Sequence, residues 1–173
     1  MGSETGGSET LVHSVLLADF YIDEKLVTDQ NYADFLNLLA DPAMISKYYD
    51  ALDEDVKLVN NGRTWELRQS TEGEFPATEV TWMGAMAFCE ARGASLPTEA
   101  QWEKAARGGL ENQDYPWGND APVCTENAIA GAQHGSCGGL TARVGAFDAN
   151  LYGLFDMAGN VWEWIFDSYD SSY

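Results

Sequence analysis

The chain has 173 residues, the usual size of one domain, so we predict a single domain over residues 1–173. Its 28 acidic and 9 basic residues give a formal net charge of −19. Because phosphate groups repel such a surface, the charge argues against nucleic acid and anionic membranes as partners and leaves cations, basic peptides and neutral polymers. An acidic surface also promotes solubility without any ligand, so the charge alone names no function.

The sequence contains no candidate membrane or export segment. No apolar run approaches the roughly 20 residues of a membrane span, so we expect no membrane insertion. Residues 1–10 are polar and acidic, unlike a signal peptide. We therefore expect the chain either to be cytosolic or to have its export signal outside these residues.

The first predicted elements lie between residues 13 and 39. The apolar run at 13–22 predicts a strand. Thr28 or Asp29 is expected to cap a helix that ends before Asp41-Pro42. One face of this helix is apolar at positions i, i+3, i+4 and i+7, formed by Tyr32, Phe35, Leu36 and Leu39.

A hairpin and two more helices follow. Residues 43–55 favour neither helix nor strand. The turn sequence Asn60-Asn-Gly-Arg63 between two apolar runs predicts a hairpin, with Asn61-Gly62 in a type I′ turn. Thr81 is expected to cap a helix over 82–92. Thr98 and Gln101 have the spacing of a capping box for the next helix. Beyond residue 110, frequent glycines predict loops and short strands, so the pattern is that of an α+β domain.

Two carboxylates near the end of the chain are candidate cation ligands. Asp156 and Glu163 are seven residues apart on either side of a turn at Gly159-Asn160. Hard cations such as calcium take carboxylate and backbone carbonyl oxygens together, and a tight turn supplies both. A carboxylate pair could also serve glycoside hydrolysis. In so acidic a chain, however, ordinary surface loops also contain such pairs.

The cysteines allow several interpretations. Cys124 and Cys137 in one glycine-rich loop form either a disulfide, which would indicate an oxidising, extracytoplasmic compartment, or two reduced surface thiols. A zinc site is not favoured, because neither has a Cys-x-x-Cys partner and only His13 and His134 are available. Cysteine–histidine catalysis would need the same histidines. We expect Cys89 to be a core residue and His134 to be solvated.

The tryptophans suggest either sugar stacking or core packing. For most of the five outside the hairpin, the apolar or capping neighbours favour core packing: Trp82, Trp102, Trp117, Trp162 and Trp164.

Four ordered stretches resemble the formylglycine-generating-enzyme domain, also called the sulfatase-modifying-factor domain. Two lie at residues 20–35 and 75–89. The longer two are Leu96-Pro-Thr-Glu-Ala-Gln-Trp-Glu-Lys-Ala-Ala-Arg-Gly-Gly109 with Tyr115-Pro-Trp-Gly118, and Val144-Gly-x-Phe147 with Gly153-Leu-Phe-Asp-Met-Ala-Gly-Asn-Val-Trp-Glu-Trp164. Together they span nearly the whole chain. The resemblance implies an elaborated, loop-rich C-type-lectin-like fold.

The resemblance also implies particular sites. A calcium ion would be held by the side chains of Asp156 and Glu163 and the backbone oxygens of Gly159 and Val161. A second calcium site of the family begins at a segment similar to Asn127-Ala128, but its other ligands fall where this chain is shortened. Relatives with cysteines in that region replace the cation by a disulfide, which implies a Cys124–Cys137 disulfide.

The departures from the family concern catalysis. The resemblance implies that enzyme members use oxygen and a copper ion to convert a sulfatase cysteine to formylglycine. Two cysteines after an Arg-Gly-Gly-Ser-Trp motif would hold the copper. The chain ends nine residues after Trp164 and contains neither the motif nor those cysteines. Copper is therefore expected only in a longer parent protein.

Three hypotheses follow. The chain is a non-catalytic, calcium-stabilised binding or scaffold module with a protein or peptide partner, or a fragment of the copper- and oxygen-dependent oxidase, or it has some other catalysis of its own. Terminal strands of a lectin-like fold normally pair in a central sheet. A self-sufficient module would therefore replace them by dimerising or by pairing with another chain.

Overall fold

Regular structure lies in the first two thirds of the described chain. The computed structural model describes residues 13–39, 41–139 and 141–169. In chain order its elements are α1 (Asp29–Leu38), α2 (Pro42–Tyr48), β1 (Leu58–Asn60), β2 (Trp65–Leu67), α3 (Trp82–Ala91) and α4 (Glu99–Arg107). The described residues after 110 are loops and turns, which confirms the loop-rich α+β class. Within the described ranges, no helix has both the length and the apolar character needed to cross a bilayer.

Local side-chain caps fix where the helices begin. In α1, Thr28 Oγ1 accepts the Asn31 amide at 3.2 Å, and Asn31 Oδ1 accepts the Thr28 amide at 3.4 Å. Thr28 is therefore the cap, and Asp29 lies in the first turn of the helix. The predicted capping box of α4 is confirmed, with Thr98 and Gln101 exchanging the equivalent bonds at 3.3 and 2.8 Å. Both boxes satisfy amides that have no partner inside the helix.

An aromatic core joins α1, the hairpin and α3. The Phe35 ring lies 5.5 Å from those of Tyr32 and Phe88, and the Tyr49 and Trp65 rings meet edge-on at 5.6 Å. Such pairs combine large apolar burial with favourable ring geometry. The main buried cluster also contains three aliphatic residues from α1, β1 and the segment just before β1: Leu36, Leu58 and Val56.

The predicted hairpin is present, but its turn differs from the prediction. Strands β1 and β2 pair antiparallel, with Asn60 opposite Trp65. Of the turn residues only Gly62 has a positive φ, 93°. A type I′ turn requires positive φ at both central residues, so that assignment is wrong. The Asn61 side chain, which accepts the amides of Arg63 and Thr64 at 3.0 Å, holds the turn instead.

Two further strand predictions are wrong. Residues 13–22 are irregular and largely exposed, because no described strand lies beside them to pair with their backbone. In the described part of the chain after 110, the expected short strands are reduced to isolated bridges, Tyr115 with Gly118 and Val123 with Gly131. A strand is stable only when another strand completes its hydrogen bonds, which a run of apolar residues alone does not reveal.

Candidate functional site: an acidic turn and an apolar cleft

Asp156 begins the predicted cation turn in a left-handed backbone conformation (φ 55°) with only 7% of its surface exposed. Its Oδ2 accepts the Gly145 amide at 2.7 Å, and its Oδ1 lies 3.5 Å from Asn160 Nδ2. Burial raises the pKa of the Asp156 carboxyl, and these hydrogen bonds and the Lys25 ammonium offset the shift only in part. The carboxylate is therefore fixed in position and desolvated.

The turn is held by a neighbouring loop through backbone contacts. Asn160, with φ 62°, donates its amide to the carbonyl of Gln133 at 2.8 Å. A side chain at Gly159 would place its Cβ 2.1 Å from the same carbonyl oxygen, and Gly159 itself has φ 82°. Only glycine fits a backbone that is both left-handed and this close to another chain segment.

Glu163 lines the edge of a large cleft and is exposed within it. Desolvation by the surrounding cleft walls raises the pKa of its carboxyl to about 7, and the nearby charge of Asp156 adds to the shift. The Trp102 indole lowers the pKa in part, although its geometry falls short of a hydrogen bond and Nε1 is buried without a partner. Among the described residues, no lysine or arginine forms an ion pair with Asp156 or Glu163.

The four predicted metal ligands lie along one turn but face two spaces. Asp156 lines a cavity of about 20 Å³, room for about one water-sized occupant. Glu163 and Val161 line the large cleft. The carbonyl oxygens of Gly159 and Val161 accept no hydrogen bond from any backbone amide in the described ranges. The segment therefore offers two desolvated carboxylates and two carbonyl oxygens without backbone partners.

The large cleft has a volume of about 550 Å³. One wall is formed by 20–27, a second by α3 with 93–97, and a third by 161–164. Charged groups are few: Arg92 forms a two-pronged ion pair with Asp23 at 2.7 and 2.8 Å, and the Lys25 ammonium lies 5.0 Å from the centre of the Phe155 ring. The rest of the lining is mostly apolar.

Helix α3 explains why the cleft is apolar. Nine of its ten residues, Trp-Met-Gly-Ala-Met-Ala-Phe-Cys-Glu-Ala, are uncharged, so the helix has no polar face for solvent. Gly84 and Phe88 are buried, and Ala85, Phe88 and Cys89 line the cleft. A helix that is apolar all round is normally buried all round. This uncharged composition is the sequence signal from which the cleft could have been predicted.

Several tryptophan predictions are wrong. Trp162 is fully exposed, Trp164 is half exposed and Trp82 is also exposed, rather than packed in the core. Two of them bridge distant segments through their indole N–H groups: Trp82 donates to the Ile165 carbonyl and Trp164 to the Val80 carbonyl, both at 2.8 Å. These bonds hold the end of the described chain beside α3, where Trp162 and Trp164 line the cleft.

Cys124 and Cys137 form a disulfide with Cα atoms 5.3 Å apart, as the resemblance implied. Cys89 is half-buried between the core and the cleft, so it is only partly the core residue that we expected, and burial raises the pKa of its thiol. His134 is half-buried beside the disulfide and not fully solvated as predicted, with Nε2 3.6 Å from Cys124 Sγ.

Comparisons with known proteins agree with this architecture. A family model described as "Sulfatase-modifying factor enzyme 1-like domain" matches residues 1–173. The inactive C-alpha-formylglycine-generating enzyme 2 of Bos taurus is 45% identical over 107 residues, which cover 57% of this chain and 35% of that protein. The formylglycine-generating enzyme of Streptomyces coelicolor is 32% identical over 197 residues, covering 95% of this chain and 63% of that protein.

A relative with another name also matches over almost the whole chain. The serine/threonine-protein kinase pkn1 of Chlamydia pneumoniae is 34% identical over 173 residues, which cover 97% of this chain and 26% of that protein. The chain therefore spans less than two thirds of the length of each of these three curated relatives.

Proposed function

Since the chain belongs to the sulfatase-modifying factor enzyme 1-like domain family, we propose that it is a non-catalytic binding module stabilised by calcium. Its binding surface is the apolar cleft, and its ligand is an extended segment of a partner polypeptide. The observation that carries the proposal is the uncovered apolar face of α3.

Burial energetics favour an occupied cleft. Ala85 and Cys89 on α3 face the aromatic and aliphatic residues of the opposite walls across open space. Apolar surface removed from water contributes about 25 cal/mol per Å², so an apolar occupant that fills the cleft is stabilised without any specific hydrogen bond. Polypeptide chains are the ligands that supply such surface over a length of several residues.

Unpaired backbone at the cleft edges favours an extended occupant. Residues 20–22 and 161–164 line the cleft and make no backbone–backbone hydrogen bonds with other described residues. An added strand satisfies such amides and carbonyls along its whole length. The net charge of −19 favours a basic partner and disfavours a second copy of this chain, which would bring the same charge to the interface.

Calcium is proposed at the turn 156–163. The side chains of Asp156 and Glu163 and the carbonyl oxygens of Gly159 and Val161 would hold it. Two desolvated carboxylates with raised pKa and without an ion-pair partner fit a divalent cation, which lowers the free energy of both charged forms. Bound there, the ion would tie the wall 161–164 of the cleft to the buried Asp156.

The cysteines support a non-catalytic role. Of the three cysteines, Cys124 and Cys137 form a disulfide, which leaves Cys89 without a second thiol for a copper pair. A relative named as inactive matches over half of the chain. The alternative, a fragment of a formylglycine-generating oxidase, is favoured by relatives with that name that match nearly all of the chain.

A catalytic assay tests whether these residues have oxidase activity by themselves. The copper-loaded chain is incubated in oxygenated buffer containing reductant with a peptide that has a sulfatase-type cysteine, and the peptide is analysed by mass spectrometry. The binding module leaves the cysteine unchanged. Formation of formylglycine would establish the oxidase instead.

Peptide selection tests the cleft. A random peptide library is selected on the immobilised chain, and we expect extended sequences that combine apolar and basic residues. Ala85→Glu places a charge in the cleft and should abolish their binding, whereas Met83→Glu alters an exposed residue of the same helix outside the cleft and should preserve it. Equal binding by both variants would rule out the cleft as the binding surface.

A further inference from the structure

The disulfide loop brings three metal-binding side chains together. One ligand atom from each of Cys124, His134 and Cys137 lies within 4.8 Å of the other two. We call these residues the Cys–His cluster. Thiolate and imidazole are the ligands that zinc binds in proteins, commonly at a tetrahedral site. A disulfide requires only the two sulfur atoms, so the nearby imidazole is an additional metal-binding group.

Backbone hydrogen bonds position the cluster in addition to the S–S bond. His134 and Cys137 occupy the ends of one turn, closed by the Cys137 amide donating to the His134 carbonyl at 2.9 Å. A spacing of two residues between ligands is the spacing of chelating pairs in structural zinc sites. Cys124 is brought beside this turn by Val123, whose amide donates to Ala130 and whose carbonyl accepts from Ala132 at 2.8 and 3.0 Å.

The surroundings of the cluster suit metal ligands. Ser136 Oγ lies 2.9 Å from His134 Nδ1, so it can accept a hydrogen bond from Nδ1–H, and the lone pair of Nε2 is then free for a metal. Metal-binding histidines are typically oriented in this way through their second nitrogen. The His134 amide donates to Cys137 Sγ at 3.4 Å, and the Ala132 carbonyl oxygen lies 3.4 Å from the same sulfur.

We propose that the reduced chain binds one zinc ion through Cys124, His134 and Cys137, with water as the fourth ligand. A dithiol reductant adds two electrons and two protons as the S–S bond breaks, and it leaves as its own disulfide. Zinc then displaces the two thiol protons as two Zn–S bonds form. Cys124 is exposed, so a dithiol can reach it. The loop thus alternates between a disulfide and a zinc site.

The proposed zinc site is distinct from the calcium turn. Calcium prefers oxygen ligands and binds thiolates poorly, whereas zinc accepts sulfur and nitrogen. The two proposals can therefore fail independently. An Asp156→Asn variant that no longer binds calcium keeps all three ligands of the Cys–His cluster.

The test measures zinc retained by the full chain. The chain is reduced with a phosphine, the reductant is removed without air, excess zinc chloride is added, and metal is quantified after desalting. We expect one zinc per reduced chain and none in the oxidised chain. Cobalt in place of zinc should give the sulfur-to-metal charge-transfer absorption of thiolate ligation.

Matched variants assign the ligands. His134→Ala should abolish retention, and Ser136→Ala should weaken zinc affinity about tenfold because the imidazole loses its orienting partner. Cys89→Ser and His13→Ala, which alter the remaining cysteine and histidine, should retain the ion. A reduced chain that retains no zinc, or that retains it equally with His134→Ala, would overturn the proposal. So would a reduced chain that unfolds and does not refold when zinc is added.

Discussion

The main-chain amide of Asn160 donates a 2.8 Å hydrogen bond to the carbonyl of Gln133, which immediately precedes His134. This bond joins the proposed calcium turn to the loop closed by the Cys124–Cys137 disulfide. Gly159 lies against the same carbonyl and permits no larger side chain there. A change that releases one loop is therefore transmitted to the other through Gln133.

We predict that removing the disulfide weakens calcium binding. The double variant Cys124→Ser/Cys137→Ser should lose about 3 kcal/mol of unfolding free energy, the chain-entropy value for a loop of roughly this length, measured by urea titration. Its calcium affinity, measured by titration calorimetry, should fall as well, because Gln133 is no longer held against Asn160. Cys89→Ser alters the remaining cysteine and is the control for calcium affinity, which it should leave unchanged. Unchanged calcium affinity in the double variant would show that the loops are independent.

We predict that the calcium-free chain loses stability as the pH rises from about 4 to 7. Burial raises the pKa of Asp29, which is 1% exposed, from 3.8 to about 6, and the Lys57 ammonium 3.5 Å away offsets only part of the shift. Desolvation raises the pKa of Glu163 from 4.5 to about 7. Both carboxyls bind protons more tightly in the folded state. Their contribution to stability is therefore complete when the pH is below their unfolded-state pKa values, and it is lost when the pH rises above their folded-state pKa values.

Urea unfolding in EDTA at several pH values measures this decline. Asp29→Asn should reduce the decline in unfolding free energy between pH 4 and 6 by on the order of 3 kcal/mol. Asp34→Asn removes the same charge at an exposed position on the same helix, and it should not change how the unfolding free energy depends on pH. Stability that is constant or rises over this range in the unmodified chain would contradict the raised pKa values of these two carboxyls.

We predict that Gly84→Ala destabilises the chain even though alanine is the better helix former. The added Cβ would lie 2.1 Å from the Tyr48 carbonyl oxygen and 2.3 Å from the Tyr32 hydroxyl, which are bonded to each other at 2.9 Å. We expect a loss of at least about 2 kcal/mol from overpacking, against a propensity gain of about 1 kcal/mol. Met83→Ala next to it is exposed and should change the urea midpoint little. A stabilised Gly84→Ala variant would refute the close packing of α2 on α3.

Helix boundaries were predictable because their causes are local. Thr98 and Gln101 are three residues apart, and their reciprocal bonds form whatever the rest of the chain does. The Asn-Gly turn of the hairpin is local too, although the sequence did not distinguish which of its residues takes a positive φ.

The cleft was not predictable because its causes are distant. The indole N–H groups of Trp82 and Trp164 donate hydrogen bonds to carbonyls 83 and 84 residues away. The local hydrophobic pattern does not indicate either contact. The strand predicted at 13–22 failed for the same reason, since its stability depends on a partner that local sequence does not specify. For the acidic turn, the spacing of Asp156 and Glu163 identified both carboxylates but did not reveal that they line different spaces.

Thermal unfolding in excess EDTA and then in excess calcium tests the central claim, a calcium-stabilised module, most directly. Calcium at about a hundredfold over its dissociation constant should raise the midpoint of a cooperative transition by about 5–10 °C. Asp156→Asn and Glu163→Gln should each abolish the increase, and the exposed Glu111→Gln should preserve it. Identical midpoints in EDTA and calcium for the unmodified chain would contradict the account.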